Sequence, residues 1–209
     1  KNYTSGILFW MYNDCWPALG FSMIDYYQTP KSGFYAMKHT CSPITAAIQK
    51  KDDKLCFSVL NDSLYEGEVV ARILSVDTAT GEVSELYRGS ADLKKNENTE
   101  LSFTLSSDIG NQTIIFADVY KGGRHVSRAR YYGGWLADVK LAPAELKWSI
   151  GRDSISVQCI SNVAIGVSFD GDFILEDNFF DMLPGEKREI KFAARDGFDG
   201  KAECAVYKS

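Results

Sequence analysis

The 209-residue sequence is poor in the residue types that build metal sites. It has only two histidines, and its five cysteines lie far apart with no Cys-x-x-Cys pair. A zinc site needs Cys and His ligands at close, characteristic spacing, so none is expected. No apolar run approaches the roughly 20 residues with which a helix crosses a bilayer. The sequence therefore predicts no metal, no other cofactor and no membrane partner.

The scattered, odd-numbered cysteines also argue against a disulfide framework. Buried free thiols are the favoured interpretation. Cys159 and Cys204 both fall in strand-like runs near the C-terminus, so a bridge between those two is the alternative. Neither His39 nor His125 has a plausible nucleophile beside it in sequence, and both are interpreted as structural.

The charge pattern excludes another class of partner. The formal net charge is −5, without long runs of one sign, whereas a phosphate-binding surface favours the opposite balance. Nucleic acid is therefore not expected as a partner. The sequence begins at Lys1 without a visible signal peptide, so we expect a piece of a longer protein. Its location is left open, as periplasmic or secreted if a bacterial parent carries an upstream signal.

Residues 1–47 differ in character from the rest of the chain. Gly6 to Tyr12 form an unbroken apolar and aromatic run, which predicts a strand buried on both faces, as in a parallel sheet. A loop follows over residues 15–29, and Pro30 is well placed for the first turn of a helix that Pro43 ends. This is one β/α unit, and one such unit cannot form a core alone.

Residues 48–141 and 142–209 both show short, alternating apolar runs separated by turn residues, which is typical of β-sandwiches. Ala142-Pro143 reads as the linker between them. The second segment is small for independent stability and is expected to lean on its neighbour. Pro184-Gly185 predicts a type II turn, because Pro suits its second position and Gly its third.

The most informative stretch is the end of the apolar run, from Trp10 to Pro17. An aromatic face binds the C–H groups of a sugar ring, and amide or carboxylate groups bind its hydroxyls. Trp10, Asn13, Asp14 and Trp16 supply both kinds of group and are the candidate substrate-binding residues. From the residues alone another interpretation stays open, in which the tryptophans are core residues and Asn13-Asp14 is only a turn.

A resemblance favours the sugar-binding interpretation. Residues 6–17, Gly-Ile-Leu-Phe-Trp-Met-Tyr-Asn-Asp-Cys-Trp-Pro, resemble the eighth barrel strand of the family 2 glycoside hydrolases that act as β-mannosidases and exo-β-glucosaminidases. Residues 24–44 resemble the loop, the final barrel helix and the exit that follow that strand. Residues 176–186, Glu-Asp-Asn-Phe-Phe-Asp-Met-Leu-Pro-Gly-Glu, resemble a signature of the family's C-terminal immunoglobulin-like domain.

The resemblance implies a mainly β fold. It consists of the last β/α unit of a TIM barrel over residues 1–47, followed by two immunoglobulin-like β-sandwich domains over residues 48–141 and 142–209. In TIM-barrel enzymes the active site lies at the C-terminal ends of the strands, where Trp10 to Trp16 would then stand. Met11 occupies a position where many β-mannosidases have Gln and exo-glucosaminidase-like members can have Met, so the sugar is left open.

The resemblance also implies what this chain lacks. Retaining glycosidases use two carboxylic acids roughly 5–5.5 Å apart. The family places both on earlier barrel strands, and neither Asp14 nor Asp25 matches either position. We therefore expect no catalytic residue in this chain, and a parent enzyme that cleaves terminal β-linked sugars from a glycoside or oligosaccharide. The alternative is a stand-alone carbohydrate-binding or interaction module, and a homodimer through residues 6–12 is a further possibility.

Overall fold

The computed structural model describes residues 6–208. Residues 1–5 and 209, at the outer ends of the predicted first and third domains, lie outside the described residues. The described chain is mainly β, as predicted, and has two compact units. One contains residues 39–142, and the other combines residues 6–38 with residues 143–208. No helix among the described residues is long and apolar enough to cross a membrane.

The unit of residues 39–142 is built from two antiparallel sheets. One has the order β1-β2-β5 and the other the order β4-β3-β6-β7. The strands are β1 Ile44–Lys51, β2 Lys54–Asn61, β3 Gly67–Asp77, β4 Val83–Leu93, β5 Asn98–Ser106, β6 Thr113–Lys121 and β7 Arg124–Tyr131. A short 3₁₀ helix, Leu136–Asp138, follows.

Strand alternation decides which side chains enter the core of this unit. In β2 the buried residues Leu55, Phe57 and Val59 alternate with more exposed ones, and Phe57 is fully buried. Ile73 of β3 and Ile115 of β6 join the same apolar cluster. Burial of each such side chain contributes about 1.5–3 kcal/mol, so this cluster dominates the stability of the unit.

The other unit also contains two sheets, with the orders β11-β13-β9-β8 and β12-β10-β14. The strands are β8 Glu145–Ile150, β9 Ser154–Ser161, β10 Ala164–Asp170, β11 Phe173–Leu175, β12 Phe180–Met182, β13 Lys187–Ala194 and β14 Glu203–Ala205. Their inward side chains form a separate apolar cluster that includes Ile155, Val167 and Met182.

Two local predictions in this unit are confirmed. The helix α1 covers Ser32–Thr40, between Pro30 and Pro43 as predicted, but Pro30 precedes the first turn and forms a bridge with Ile24 instead. At the Pro184-Gly185 turn, the Glu186 amide donates to the Leu183 carbonyl oxygen over 3.0 Å. Gly185 has φ +84°, the conformation that the third position of a type II turn requires.

The prediction of a buried strand over residues 6–12 is wrong for this chain. No strand is assigned there, and Leu8 and Trp10 are 101% and 88% exposed. A strand buried on both faces needs neighbouring strands to take up its main-chain groups and helices to cover its faces. Among residues 6–208, the main-chain partners of the run lie at its end, where the carbonyl oxygens of Met11 and Tyr12 accept from Met23 and Ile24.

All five cysteines are free, so the alternative of a Cys159–Cys204 bridge is wrong. The expected burial holds for Cys159 but not for Cys15 or Cys41, which are exposed. Burial raises the pKa of the Cys159 thiol to about 11, which keeps it protonated and unreactive.

Candidate functional site

The candidate substrate-binding residues lie in an exposed segment, residues 6–21. Trp10 and Trp16 are 88% and 67% exposed, and Asn13 is exposed as well. Asp14 differs from these three because it is buried. The structure therefore brings the four residues into one short segment but gives Asp14 an environment unlike that of the others.

Short main-chain pairings fix the base of this segment. Asn13 forms a parallel bridge with Ile24, and Ile24 forms an antiparallel bridge with Pro30. The Asp14 amide donates to the Ile24 carbonyl oxygen over 3.1 Å, and the Lys31 amide donates to the Met23 carbonyl oxygen over 2.9 Å. Residues 23–24 thus pair with residues 13–14, and residues 30–31 pair in turn with residues 23–24 before α1 starts.

A partly buried ion pair between Lys31 and Asp14 connects these segments of the loop. The Lys31 ammonium lies 2.7 Å from Oδ2 of Asp14 and also donates to the Ser22 hydroxyl and the Gly20 carbonyl oxygen. The hydrogen bond from Lys31, together with one from Ser22, lowers the pKa of Asp14 below its usual value. The Asp14 carboxylate is therefore ionised at neutral pH and is engaged inside the loop.

Gly20 is required where the loop closes over this pair. A Cβ atom at position 20 would lie 2.3 Å from Oδ1 of Asp14, far inside van der Waals contact. Only glycine lets the main chain approach so closely without moving a carboxylate that Lys31 already holds.

The exposed side of the segment has the chemistry of a sugar-binding surface. Trp10, Tyr12 and Trp16 present aromatic area to solvent within seven residues, and Asn13 adds an amide between them. Aromatic rings with a polar group nearby can cover the apolar face of a sugar while the amide bonds a hydroxyl. Lys31 and Ser22 could not be predicted from the sequence, because nothing in their local sequence marks them as partners of a carboxylate 17 and 8 residues away.

A second polar cluster lies in the other unit, on β6 and β7. Asp118 is 1% exposed, and Arg128 donates to both of its carboxylate oxygens over 2.7 and 2.8 Å. Nε2 of His125 lies 3.2 Å from Oδ1 of the same carboxylate. Burial alone would raise the pKa of Asp118, but the hydrogen bonds with Arg128 and His125 outweigh burial and lower the pKa to about 2. This is a satisfied buried ion pair, consistent with the structural interpretation of His125.

Comparison with known proteins gives a consistent result along the chain. Residues 136–205 match Ig_mannosidase, an Ig-fold domain. Beta-mannosidase B of Thermothelomyces thermophilus is 26% identical over 219 residues, an alignment that covers 89% of this chain and 25% of that protein. Beta-mannosidase B of Aspergillus fumigatus is 27% identical over 219 residues, covering 91% of this chain and 25% of that protein.

Two solved structures share the fold. The β-D-mannosidase of Dictyoglomus thermophilum superposes with a TM-score of 0.77 at 21% identity, covering 95% of this chain and 26% of that one. The exo-chitosanase of Amycolatopsis orientalis gives a TM-score of 0.69 at 16% identity, covering 96% and 30%. The chain therefore resembles the C-terminal part of family 2 β-mannosidases and exo-β-glucosaminidases, which confirms the predicted resemblance. It spans about a quarter of the length of these curated relatives.

Proposed function

We propose that this chain is the C-terminal quarter of a retaining, exo-acting β-glycosidase of the β-mannosidase type, which hydrolyses terminal β-linked sugars. In this proposal residues 1–47 are the last strand, loop and helix of its catalytic barrel. Residues 48–141 and 142–209 are two immunoglobulin-like domains that brace the barrel. The similarity of nearly the whole chain to β-mannosidases, over a quarter of their length, supports this assignment.

The observation that carries the proposal is the exposed apolar surface of residues 6–21. Several large apolar side chains there are more than half exposed, namely Ile7, Leu8, Trp10, Tyr12, Trp16, Leu19 and Phe21. So many large apolar side chains exposed in one short segment indicate an interaction site, since soluble proteins rarely leave a large apolar surface uncovered. In the proposed parent, the remaining barrel would cover part of this surface, and the strand end would face the sugar.

The proposed roles follow from the environment of each side chain. Trp10 and Trp16, both widely exposed, would stack on the sugar, and the exposed Asn13 would bond a hydroxyl. The sequence also predicts Asp14 as a sugar-binding residue. Because its carboxylate is bound to Lys31, we propose that Asp14 instead holds Asn13 and its neighbours in place. The two catalytic carboxylic acids would lie in the rest of the parent, so the chain alone would have no glycosidase activity.

The proposal is tested by Trp10→Ala in the full-length parent, assayed on a panel of aryl β-glycosides. We expect kcat/KM to fall about tenfold or more for the preferred sugar, which corresponds to about 1.4 kcal/mol of lost transition-state binding. Thermal stability should change little, because Trp10 is 88% exposed in this chain.

Trp135→Ala is the matched control, since Trp135 is 81% exposed but lies in the unit of residues 39–142. It should leave kcat/KM unchanged. A parent that hydrolyses none of the β-glycosides would refute the proposed activity. A Trp10→Ala variant that melts early with its specific activity intact would show that Trp10 is a core residue of the parent.

The alternative, a stand-alone carbohydrate-binding module, is favoured by the same exposed tryptophans. It predicts that the chain by itself binds β-linked oligosaccharides in solution, and that Trp10→Ala abolishes this binding. Isothermal titration with mannose- and glucosamine-based oligosaccharides would detect it. No heat of binding at millimolar sugar would leave the enzyme proposal as the only one of the two.

A further inference from the structure

The beginning of α1 is held by the strands of the C-terminal segment. Tyr35 is 2% exposed, and its hydroxyl donates to the Leu175 carbonyl oxygen over 3.0 Å. Its ring centroid lies 5.9 Å from that of Phe179. One turn further along, the Lys38 ammonium donates to the Glu176 carbonyl oxygen. Burial raises the pKa of the Tyr35 phenol, so it stays protonated and remains a donor at neutral pH.

A second contact reaches the turn before α1. The guanidinium of Arg195, at the end of β13, donates to the Gln28 carbonyl oxygen over 2.9 Å. Gln28 has φ +67°, a left-handed conformation that is costly for a residue other than glycine. The turn is closed by the Gln28 and Thr29 amides, which donate to the main-chain and side-chain oxygens of Asp25. Arg195 therefore bonds a strained, well-defined turn.

The surface that receives Tyr35 is itself firmly built. The Asn178 side chain accepts from the Phe169 amide over 2.9 Å and donates to the Phe169 carbonyl oxygen over 3.0 Å. Arg188 pairs with Asp177 over 3.1 Å and lies over the Phe180 ring at 4.3 Å. These bonds fix residues 175–180, so a contact made to them has a defined position.

The turn at residues 25–29 is connected to residues 6–21, which are called the sugar-facing segment after their proposed role. On one side of this turn, Ile24 forms a bridge with Asn13. On the other side, Lys31 forms an ion pair with Asp14. Every step is a hydrogen bond or ion pair between described residues. A displacement of the turn or of the start of α1 would therefore also displace Asn13 and the tryptophans beside it.

We infer that the C-terminal strands position the sugar-facing segment, and that Tyr35 and Arg195 are the positioning residues. Tyr35 sets the start of α1 against residues 175–179, and Arg195 sets the turn at residue 28. The sugar-facing role of the segment rests on the proposed function, whereas the positioning itself is a property of this chain. Residues 176–186, which resemble the signature of the immunoglobulin-like domain, thus also help to position the loop.

The positioning is tested on this chain by amide hydrogen exchange of the variant Tyr35→Phe/Arg195→Met. We expect the exchange of the Asp14, Ile24 and Thr29 amides to become about tenfold faster, because two hydrogen bonds that restrain local opening are lost. The amides of β9 and β13 should keep their protection. The matched control is Tyr207→Phe/Arg152→Met, which changes an exposed tyrosine and an exposed arginine in the same unit. The control should leave all of these rates within about twofold.

Two results would overturn the inference. Unchanged exchange over residues 12–31 in a folded Tyr35→Phe/Arg195→Met variant would show that these contacts restrain nothing. A uniform increase that includes β9 and β13 would show that they stabilise the whole unit without acting on the loop. Arg195→Lys keeps a cationic donor and should restore part of the protection that Arg195→Met removes.

The consequence for the proposed enzyme is measured separately, in the full-length parent. We expect Tyr35→Phe/Arg195→Met to raise KM for an aryl β-glycoside about threefold or more at an unchanged melting temperature, with kcat less affected. A parent without glycosidase activity would refute the proposed function while the exchange result still decides the positioning. A parent with normal activity and an unchanged KM would overturn the inferred role at the sugar site.

Discussion

The buried carboxylate of Asp118 gives the sharpest prediction about stability. Its side chain is 0% exposed, and its main partner Arg128 is 11% exposed, so neither charge is well solvated. Asp118→Asn removes the negative charge and leaves the guanidinium without its counterion. Breaking a buried pair in this way is strongly destabilising, and since Asn can still accept one hydrogen bond we expect a loss of about 2–4 kcal/mol at pH 7.

The pH dependence provides an independent check of the magnitude. The pKa of Asp118 falls from an ordinary 3.8 to about 2, despite its burial, because of Arg128 and His125. A carboxylate with a lowered folded pKa stabilises the protein above its unfolded pKa. That stabilisation, roughly 2 kcal/mol here, is lost as the pH falls through the folded value. The difference in free energy of unfolding between Asp118→Asn and the unaltered chain should therefore be largest at pH 7, begin to shrink near pH 4 and be small near pH 2.

The assay is urea unfolding at several pH values, followed by amide NMR signals of β3 and β6 so that only residues 39–142 are monitored. Glu85→Gln is the matched control. The hydrogen bond from Arg88, supported by Arg72, lowers the pKa of Glu85 to about 2 as well, but its side chain is 34% exposed. Solvent-exposed pairs contribute under about 1 kcal/mol. If Asp118→Asn lowers the free energy of unfolding no more than Glu85→Gln does, burial does not make the Asp118–Arg128 pair more stabilising than an exposed pair.

Three further predictions concern the rest of the chain. The chain alone should not hydrolyse aryl β-mannosides above the buffer rate, and turnover that survives repurification would contradict the proposal. Residues 6–12 should drive self-association at micromolar concentration, so deletion of residues 1–12 should convert a dimer into a monomer in sedimentation equilibrium, and a monomer both with and without these residues would refute this. In native protein, alkylation followed by mass spectrometry should modify the exposed Cys15 and Cys41 first and Cys159 only after unfolding, since burial raises its pKa to about 11; early labelling of Cys159 would contradict its burial.

Strands with a clear two-residue alternation could be predicted from the sequence. The alternating runs at residues 55–60 and 101–105 correspond to β2 and β5. The run at residues 113–120 corresponds to β6, which is buried almost throughout and does not alternate. In contrast, β4 was missed. Its first four residues are all exposed, so the sequence there carries no buried face for a pattern to reveal. The three-residue strands β11 and β12 are not predicted either, whereas β14, equally short, lies within the strand-like run of residues 202–207.

The candidate site shows the same limit. Local sequence placed Trp10, Asn13 and Trp16 in one segment, and the structure finds all three exposed there. It could not show that Asp14 is bound to Lys31, because an ion pair across 17 residues depends on how the loop folds back. Nor could it show that Tyr35 reaches Leu175, a contact across 140 residues. Such contacts are set by packing, which a pattern within one segment does not describe.

The Asn178 side chain also closes a sheet edge. The pairing of β10 with β12 ends at Val167 and Phe180. If it continued in the same register, Phe169 would lie opposite residue 178. Phe179 turns the chain away there with φ +56°, yet the Asn178 amide occupies both main-chain groups of Phe169. An open pair of this kind can recruit a strand from another molecule and begin aggregation. One amide side chain thus ends the ladder and leaves no open main-chain pair at Phe169 for a strand of another molecule.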